Sequence, residues 1–389
     1  MYLVQKFGGT SVATVERIKK VAEIIALSRK KAHKVAVVVS AMAGVTNKFV
    51  GYVRNLNSFE GDPEYDQVVS SGELITAGLL AISLKNIGVD SKSYSSWQVP
   101  IFTNDNHGNA SIEKIDPSNI NKDIEKGIVP VICGFQGISL KNRVTTLGRG
   151  GSDLTAVAIS AATGADLCEI YSDVDGVYTV DPNLYGDARR IDEMNWREML
   201  EMSSQGTKVL QEQSVAYAME KKVTIRVASS FVDNAGTIIS DKISGRIFQG
   251  LAVTPNLSQI RVCCGKDAAF IINALKEHFI HGEVLKNSAL NKFDILLDKK
   301  KTINAINIFK KNGIKSVRQI VTRKSYSKIS VIGSSILPKD AKNLVNFLND
   351  SKIAIYNFSK SDCSINVVIQ IDKLMEAIRL LHKYCGLEK

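Results

Sequence analysis

The sequence lacks the features of a secreted or membrane-spanning protein. No segment approaches the run of about 18 apolar residues that marks a transmembrane helix. The N-terminal apolar stretch is short and runs directly into Lys6, which does not fit a signal peptide. The six cysteines form no C-x-x-C pair, and several lie in apolar, strand-like runs. Because free thiols of this kind persist in a reducing compartment, we expect a cytoplasmic protein without membrane contact.

Two widespread nucleotide-binding signatures are also absent. The chain contains neither the G-x-x-x-x-G-K-[ST] loop of P-loop enzymes nor the G-x-G-x-x-G fingerprint of dinucleotide-binding folds. A nucleotide would therefore have to be bound by a different kind of loop.

Aromatic residues are not interleaved with the lysines where positive charge is concentrated. The chain has 50 Lys and Arg against 39 Asp and Glu, a net charge of +11. Residues 1–249 contribute 27 against 28 and residues 250–389 contribute 23 against 11, so the whole excess lies in the last third. We interpret these scattered lysines as solvated faces rather than a base-stacking surface. Nucleic-acid binding by this third is the alternative, and we expect none.

The length of 389 residues provides for two or three domains with a large core. Strand-like and helix-like patterns alternate up to about residue 246, which predicts a mostly parallel sheet with helices on both faces. Two compact α/β repeats follow. We expect domains at 1–246, 247–325 and 326–389.

The stretch from Thr145 to Ala158 has the composition of an anion-binding loop followed by a helix. Three glycines surround Arg149, and Ser152 or Asp153 is placed to cap a helix of small residues. Backbone amides, the guanidinium group and the helix dipole would together attract an anion. A purely structural loop–helix junction with a surface salt bridge is the alternative.

A second glycine-rich loop lies at the N-terminus. Alternation predicts a strand at Tyr2–Phe7, then the loop Gly8-Gly9-Thr10-Ser11, and then a helix over Val15–Leu27. Backbone amides beside Lys6, at the strand's end, are suited to binding a polyphosphate.

Together these loops resemble the aspartokinases of the amino-acid kinase family. The resemblance covers roughly residues 2–245, and its motifs occur in the family's order. They are Lys6-Phe7-Gly8-Gly9-Thr10-Ser11-Val12, Ser40-Ala41-Met42, Gly72-Glu73, His107-Gly108-Asn109-Ala110, Gly134-Phe135-Gln136-Gly137, Thr145 to Asp153, Tyr171 to Thr179 and Asp181-Pro182. The C-terminal repeats resemble that family's paired ACT modules more loosely, the second better than the first. The implied fold is an amino-acid-kinase three-layer α/β/α sandwich with a mostly parallel central sheet, followed by two small ACT-like α+β modules.

The resemblance implies an aspartate kinase, which transfers the γ-phosphoryl group of ATP to the side-chain carboxylate of L-aspartate. This reaction begins the biosynthesis of lysine, threonine, methionine and diaminopimelate. A carboxylate is already a nucleophile at neutral pH, so no general base is required. Positioning and charge neutralisation then account for catalysis. Mg²⁺ would be held mainly by the phosphates of ATP, and no metal site made of protein side chains is expected.

The resemblance also implies roles for individual residues. Lys6 would stabilise the transferring group with the amides of Gly8 and Gly9, and Asp153 would organise the reacting region, for example by orienting Lys6. Arg149 would bind the α-carboxylate of aspartate and Glu73 its ammonium group. The expected aspartate-binding residues are Ser40, Thr46, Glu73, Arg149, Gly150, Gly151 and Ser152. The expected nucleotide-binding residues are Lys6, Gly8, Gly9, Thr10, Ser172, Asp173, Tyr178 and Lys208.

Two positions depart from the family's pattern. Asn183 stands where a basic residue often follows the Asp-Pro pair, and Leu74 replaces the arginine common after Gly-Glu. The alternatives are a kinase of another amino acid such as glutamate, and a regulatory amino-acid-sensing protein with a degraded kinase fold. The residues that the resemblance assigns to the phosphoryl group and to aspartate are all present, which favours an active aspartate kinase. They are Lys6, Glu73, Arg149 and Asp153.

The first ACT-like module departs further. The family has an acidic turn there that holds the ammonium group of an effector amino acid, whereas this chain has Cys264-Gly265-Lys266-Asp267. Because Lys266 would repel a cationic effector, we expect lysine to act weakly and threonine to be less affected. The paired modules imply a homodimer.

Overall fold

The computed structural model describes the whole chain except residues 33, 59–60, 208, 234, 244, 264–267, 279, 286–291, 315, 321–324 and 389. The effector turn at 264–267 and Lys208 therefore lie outside the described residues. The chain forms two compact units. The first comprises Met1–Val177, Arg190–Trp196 and Val209–Lys242. The second comprises Tyr178–Arg189, Arg197–Lys208 and Ile243–Lys389. The expected boundaries at residues 246 and 325 stay predictions.

Strands and helices alternate through the first 242 residues. The strands are β1 Tyr2–Phe7, β2 Lys34–Val39, β3 Ser91–Tyr94, β4 Ile101–Thr103, β5 Ile112–Ile115, β6 Val129–Cys133, β7 Gln136–Ser139, β8 Val144–Thr146, β9 Leu167–Ser172, β10 Val177–Tyr178, β11 Arg190–Ile191, β12 Glu193–Asn195, β13 Ile225–Ser229 and β14 Thr237–Ser240. The helices are α1 Val15–Lys31, α2 Val45–Asn55, α3 Pro63–Val69, α4 Ser71–Asn86, α5 Ser118–Glu125, α6 Gly151–Thr163, α7 Trp196–Ser204 and α8 Glu212–Lys221.

An eight-stranded sheet in the order β12-β14-β13-β9-β1-β2-β6-β3 forms the centre of the first unit. Its strands are parallel except where β13 meets β14. Strands buried on both faces read as continuous apolar runs, and β2 and β6 do so. Strands β9, β1, β2 and β6 are parallel neighbours, so their carboxyl ends meet at one edge of the sheet.

Helices cover both faces of this sheet. One face packs with α1 and α4 around an apolar cluster that includes Phe7, Ile18 and Leu80. The other face contacts α6, which packs against α8. Helix α6 is slim because its buried residues are mostly small, so it lies close to β1 and β9. The expected three-layer sandwich is confirmed. A smaller sheet, β5-β4-β7-β8, is added beside it.

The helical stretch Pro63–Asn86 is long and apolar enough to cross a membrane by length and composition alone. Half of its most apolar window is buried inside the protein. In α4 the buried side includes Leu80 and Leu84, which belong to the apolar cluster of the first unit. We therefore interpret the stretch as part of the core.

The second unit is built on one antiparallel sheet, β16-β17-β15-β19-β21-β20, with β18 also paired to β15. Its elements are β15 Gly250–Cys263, α9 Ala268–Lys276, β16 Gly282–Leu285, β17 Lys292–Asp298, α10 Thr302–Lys311, β18 Ser316–Ile320, β19 Tyr326–Ile332, α11 Pro338–Asp350, β20 Asn357–Lys360, β21 Ser364–Gln370 and α12 Leu374–Tyr384. Two apolar clusters, one with α9 and α10 and the other with α11 and α12, mark the two ACT-like modules.

A single long strand joins the two modules. The first half of β15 pairs with β19, and its second half pairs with β17 and β18. Pro255 and Asn256, which has φ 57°, lie at the bulge between the two halves.

Two segments from the first half of the sequence pack within the second unit. Val180, Tyr185 and Ala188 join the apolar cluster of α11 and α12. The Thr179 hydroxyl lies 2.9 Å from Nε2 of His382 in α12. Farther along, Lys328 of β19 donates to Oε1 of Gln205 at 2.7 Å. Desolvation lowers the pKa of this buried lysine.

Candidate active site

The most direct contact predicted for the site is present. Lys6, at the end of β1, reaches Asp153 in the first turn of α6, and its Nζ lies 2.5 Å from Oδ1. The two side chains are only 9% and 12% exposed. In such a partly dehydrated place each charge holds the other in one position. The ammonium group is therefore fixed just beyond the carboxyl end of a central strand.

The N-terminal glycine loop lies against this ammonium group. A Cβ atom on Gly8 would lie 3.4 Å from the Lys6 Nζ, and a Cβ on Gly9 would lie 2.9 Å from the Ala41 carbonyl oxygen. Thr10 is exposed. The expectation that the Gly8 amide binds phosphate is wrong for this structure. That amide continues the pairing of β1 with β9 and donates to the Tyr171 carbonyl at 3.0 Å.

The predicted anion loop starts α6 in a different way from the one expected. Neither Ser152 nor Asp153 caps the helix. The N-cap is Gly150 with φ 75° and no side-chain cap, and Asp153 is turned toward Lys6. Gly148 is also left-handed, with φ 72°. Two left-handed glycines lift the loop so that Arg149 is exposed, and it forms no ion pair with any described residue. The guanidinium is therefore available to an anion.

Gly150 meets two independent constraints, which a substitution can separate. A Cβ there would lie 2.1 Å from Cγ of Gln211, whereas Gly164 at the other end of α6 has φ 66° and open space. We expect Gly164→Ala to cost about 1 kcal/mol, the penalty for a left-handed alanine. Gly150→Ala should cost at least about 1 kcal/mol more, because Gln211 must also move. Thermal unfolding of both variants measures the difference, and equal costs would contradict this view of the loop.

Glu73 lies at the start of α4 and is 3% exposed. Its Oε1 accepts a hydrogen bond from the Ala41 amide at 3.0 Å, while Oε2 has no partner among the described residues. Desolvation raises the pKa of Glu73 to about 8, although the backbone hydrogen bonds oppose the rise. A buried carboxylate with one free oxygen is costly and is suited to receiving a cation.

The remaining predicted aspartate-binding residues lie in the same region. Ser40 follows β2, and its amide donates to the Phe7 carbonyl at 3.1 Å. Thr46 is half-buried in the first turn of α2. A Cβ on Gly134, after β6, would lie 2.7 Å from Oγ of Ser152. Gly151 is buried within the same helix start.

The predicted nucleotide-binding residues are less completely assembled. Ser172 ends β9, and its hydroxyl accepts a hydrogen bond from the Val174 amide at 3.2 Å. Asp173 follows it and is exposed. Tyr178 belongs to the second unit. The roles of Tyr178 and Lys208 stay predictions.

Sequence reasoning missed two residues of this region. Asp66 in α3 is fully buried and accepts hydrogen bonds from His107, Gly108 and Thr146. Phe135 has φ 69°, a left-handed conformation that is rare for an aromatic residue, and its amide donates to the Thr155 hydroxyl. The Gly-Phe-Gln-Gly motif was a signal for Phe135, but nothing local distinguished Asp66.

The structure thus brings a chain of contacts together at the carboxyl edge of the sheet. It runs from Asp153 through Lys6 and the glycine loop to Ala41 and Glu73. One fixed cation, one exposed guanidinium and one dehydrated carboxylate can bind a substrate that carries both charges and can stabilise a transferring anion. Among the described residues no three His, Cys, Asp or Glu side chains form a metal-binding group.

Known proteins are similar to this chain over most of its length. Residues 1–229 match the sequence profile of the amino acid kinase family. The aspartokinase of Rickettsia bellii is 44% identical over 267 residues, which cover 67% of this chain and 66% of that protein, so the match spans about two thirds of that relative. The aspartokinase of Pseudomonas aeruginosa is 36% identical over 396 residues, which cover 98% of this chain and 96% of that protein.

Solved structures show the same fold along the whole chain. The crystal structure of E. coli aspartokinase III in complex with aspartate and ADP has a TM-score of 0.78 at 23% identity, with 98% of this chain and 99% of that chain covered. The same enzyme in complex with lysine and aspartate has a TM-score of 0.77 at 23% identity, with 99% of each chain covered. From the profile match and the relative that covers nearly the whole chain, we conclude that this protein belongs to the aspartokinases of the amino acid kinase family.

Proposed function

We propose that the protein is an aspartate kinase that transfers the γ-phosphoryl group of ATP to the side-chain carboxylate of L-aspartate, giving 4-phospho-L-aspartate. The observation that carries the proposal is the joint presence of the fixed Lys6 ammonium and the dehydrated Glu73 carboxylate at one edge of the sheet. Relatives named aspartokinase and the E. coli enzyme described with aspartate and ADP support it. The product would feed lysine, threonine, methionine and diaminopimelate biosynthesis.

In this reaction the substrate carboxylate is the nucleophile, so the protein has only to position it and to neutralise charge. Lys6 stabilises negative charge on the transferring group, and Asp153 keeps the Lys6 ammonium in place. Because the Gly8 amide is already bonded, this charge stabilisation falls mainly on Lys6. ATP would bring Mg²⁺ on its phosphates.

At the other end of the substrate, charge complementarity selects an amino acid. Glu73 receives the ammonium group, and Arg149 binds the α-carboxylate through two parallel hydrogen bonds. Ser40, Thr46 and the Gly150–Ser152 turn surround the substrate between them. The nucleotide lies along Gly9, Thr10, Ser172 and Asp173. Tyr178 and Lys208 are also proposed to contact it.

The substrate test is an acyl phosphate assay. With Mg-ATP and L-aspartate the purified protein should form a product that hydroxylamine traps, and L-glutamate and D-aspartate should give at least about tenfold less. Equal or better turnover of L-glutamate would favour the alternative kinase. No turnover with any amino acid, together with retained amino-acid binding, would favour a sensing protein with a degraded kinase fold.

The quaternary and regulatory parts of the proposal rest on the second unit. The two ACT-like modules support a homodimer, measurable by light scattering, in a soluble cytoplasmic enzyme. The weak response to lysine depends on residues 264–267 and stays a prediction. Inhibition by lysine and by threonine at equal millimolar concentration measures it.

A further inference from the structure

A buried carboxylate beside the active site is not used by the proposed mechanism. Asp66 of α3 has no exposed surface. Its Oδ2 lies 2.7 Å from Nδ1 of His107, its Oδ1 accepts from the Thr146 hydroxyl at 2.5 Å, and the Gly108 amide lies 3.0 and 3.1 Å from its two oxygens. Because an ionised carboxylate only accepts hydrogen bonds, His107 donates through Nδ1.

These donors belong to the two segments that support the Arg149 loop. Thr146 ends β8, two residues before the left-handed Gly148. The Thr146 carbonyl accepts from the Ala110 amide at 2.8 Å. A Cβ on Gly148 would lie 2.5 Å from Oδ1 of Asn109, so the 107–109 turn packs directly against the loop. Asp66 therefore fixes both the strand that enters the loop and the turn on which the loop lies.

The backbone of Asp66 is hydrogen-bonded to the start of α4, the helix that carries Glu73. Its carbonyl oxygen accepts from the Ser70 hydroxyl at 2.7 Å and from the Ser70 amide at 3.2 Å. Ser70 is the N-cap residue of α4, the helix that carries Glu73 in its first turn. The Ser70 carbonyl accepts in turn from Nε2 of Gln136 at 3.0 Å. One residue thus connects the supports of Arg149 and of Glu73.

We propose that Asp66 and His107 are positioning residues that set the separation between Arg149 and Glu73, and so govern recognition of the amino acid without touching it. The proposal rests on the function proposed above. A buried carboxylate with several donors holds its partners in one geometry, and its loss frees all of them at once. The phosphate side depends on β1, β9 and the Lys6–Asp153 pair, none of which bonds to Asp66. Loss of Asp66 or His107 should therefore impair binding of the amino acid and leave binding of ATP largely unchanged.

The test is Asp66→Asn, with Asp123→Asn as the matched control. Asp123, in α5, is a second buried carboxylate of the same unit, and it accepts a hydrogen bond from the Tyr94 hydroxyl of β3. We expect Asp66→Asn to raise KM for aspartate about tenfold or more and to lower the preference for aspartate over glutamate. KM for ATP should stay within about twofold. Asp123→Asn should lower the melting temperature without changing either KM.

Two further measurements distinguish positioning from stability alone. His107→Asn keeps a donor near the Nδ1 position and should retain KM, whereas His107→Ala should raise KM for aspartate. Hydrogen exchange of residues 146–152 should accelerate in Asp66→Asn and not in Asp123→Asn.

An unchanged KM for aspartate, or equal rises in both KM values, would overturn the proposal. If Asp66→Asn does not fold, the two His107 variants decide. If the wild-type protein does not phosphorylate aspartate, the proposed function fails, and hydrogen exchange alone then decides whether Asp66 positions the loop.

Discussion

Replacement of Lys6 with alanine is expected to lower kcat by a factor on the order of 10²–10⁴. The structure fixes the Lys6 ammonium beside the glycine loop, through Asp153 at 2.5 Å. Because a fixed, partly dehydrated charge needs no reorganisation during the reaction, its loss should affect the chemical step rather than aspartate binding. Stopped-flow or steady-state phosphorylation of aspartate measures the change.

The variant also leaves Asp153 as an unpaired, mostly buried carboxylate, which should destabilise the fold. The double variant Lys6→Ala with Asp153→Ala separates the two effects. If Asp153 acts by holding Lys6, the double variant should lose about as much kcat as Lys6→Ala alone. The control is Lys92→Ala, which removes an exposed lysine 3.5 Å from Asp123 and should leave kcat within about twofold. A Lys6→Ala enzyme with near-normal kcat would reject the assigned role.

Replacement of Glu73 with glutamine is expected to raise KM for aspartate by about 100-fold and to change kcat much less. Burial raises the pKa of Glu73 from 4.5 to about 8, so the free enzyme carries a protonated Glu73 at neutral pH. Binding of the substrate ammonium requires the ionised form and therefore releases this proton. Affinity for aspartate should increase as pH rises toward 8 and then level off, and this dependence should disappear in Glu73→Gln. KM measured between pH 6 and about 9 tests it.

The same group predicts the opposite effect on stability. The pKa of Glu73 is higher in the folded state than in the unfolded state, so ionisation of this carboxyl group destabilises the folded protein. The penalty is absent below pH 4.5, grows as pH rises, and is complete above about pH 8. It is on the order of 5 kcal/mol at its maximum. Glu73→Gln should therefore unfold at a higher temperature than the wild type at pH 8 and at a similar one near pH 4.5.

The exposed Glu64 provides the matched control, because Glu64→Gln should change neither KM for aspartate nor the unfolding temperature. A Glu73→Gln enzyme that binds aspartate normally, or that gains no stability at high pH, would contradict the assignment of Glu73 as the ammonium receptor.

The chemistry of the site was readable from the sequence where one side chain and its local pattern determine it. Lys6 beside the glycine loop was predicted from the residues themselves, whereas the roles of Glu73 and Asp153 were implied by the resemblance to aspartokinases. The contact of Lys6 with Asp153 is present in the structure. The prediction that Ser152 or Asp153 caps α6 was wrong. The N-cap is the left-handed Gly150, which has no side chain, and Asp153 is therefore available to Lys6. The Gly8 amide was misassigned because the pairing of β1 with β9 continues one residue past the strand.

Asp66 could not be found in this way, because its partners lie 41, 42 and 80 residues away in the chain. Only the folded α/β arrangement brings α3, the 107–109 turn and β8 together. The same limit applies to β15, whose first half is recognisable only by its pairing with β19. The parallel core was predictable because its strands are apolar along their whole length, a signal that needs no distant partner.

The segments Tyr178–Arg189 and Arg197–Lys208 have a consequence for how such chains can be recombined. Val180 and Tyr185 are encoded before residue 246, yet they pack with the apolar residues of α11 and α12, and Gln205 is bonded to Lys328. An exchange of C-terminal modules between relatives at residue 246 would therefore leave mismatched halves of one core. Natural or engineered module exchange should succeed only where these two internal segments are inherited together with the modules they pack against.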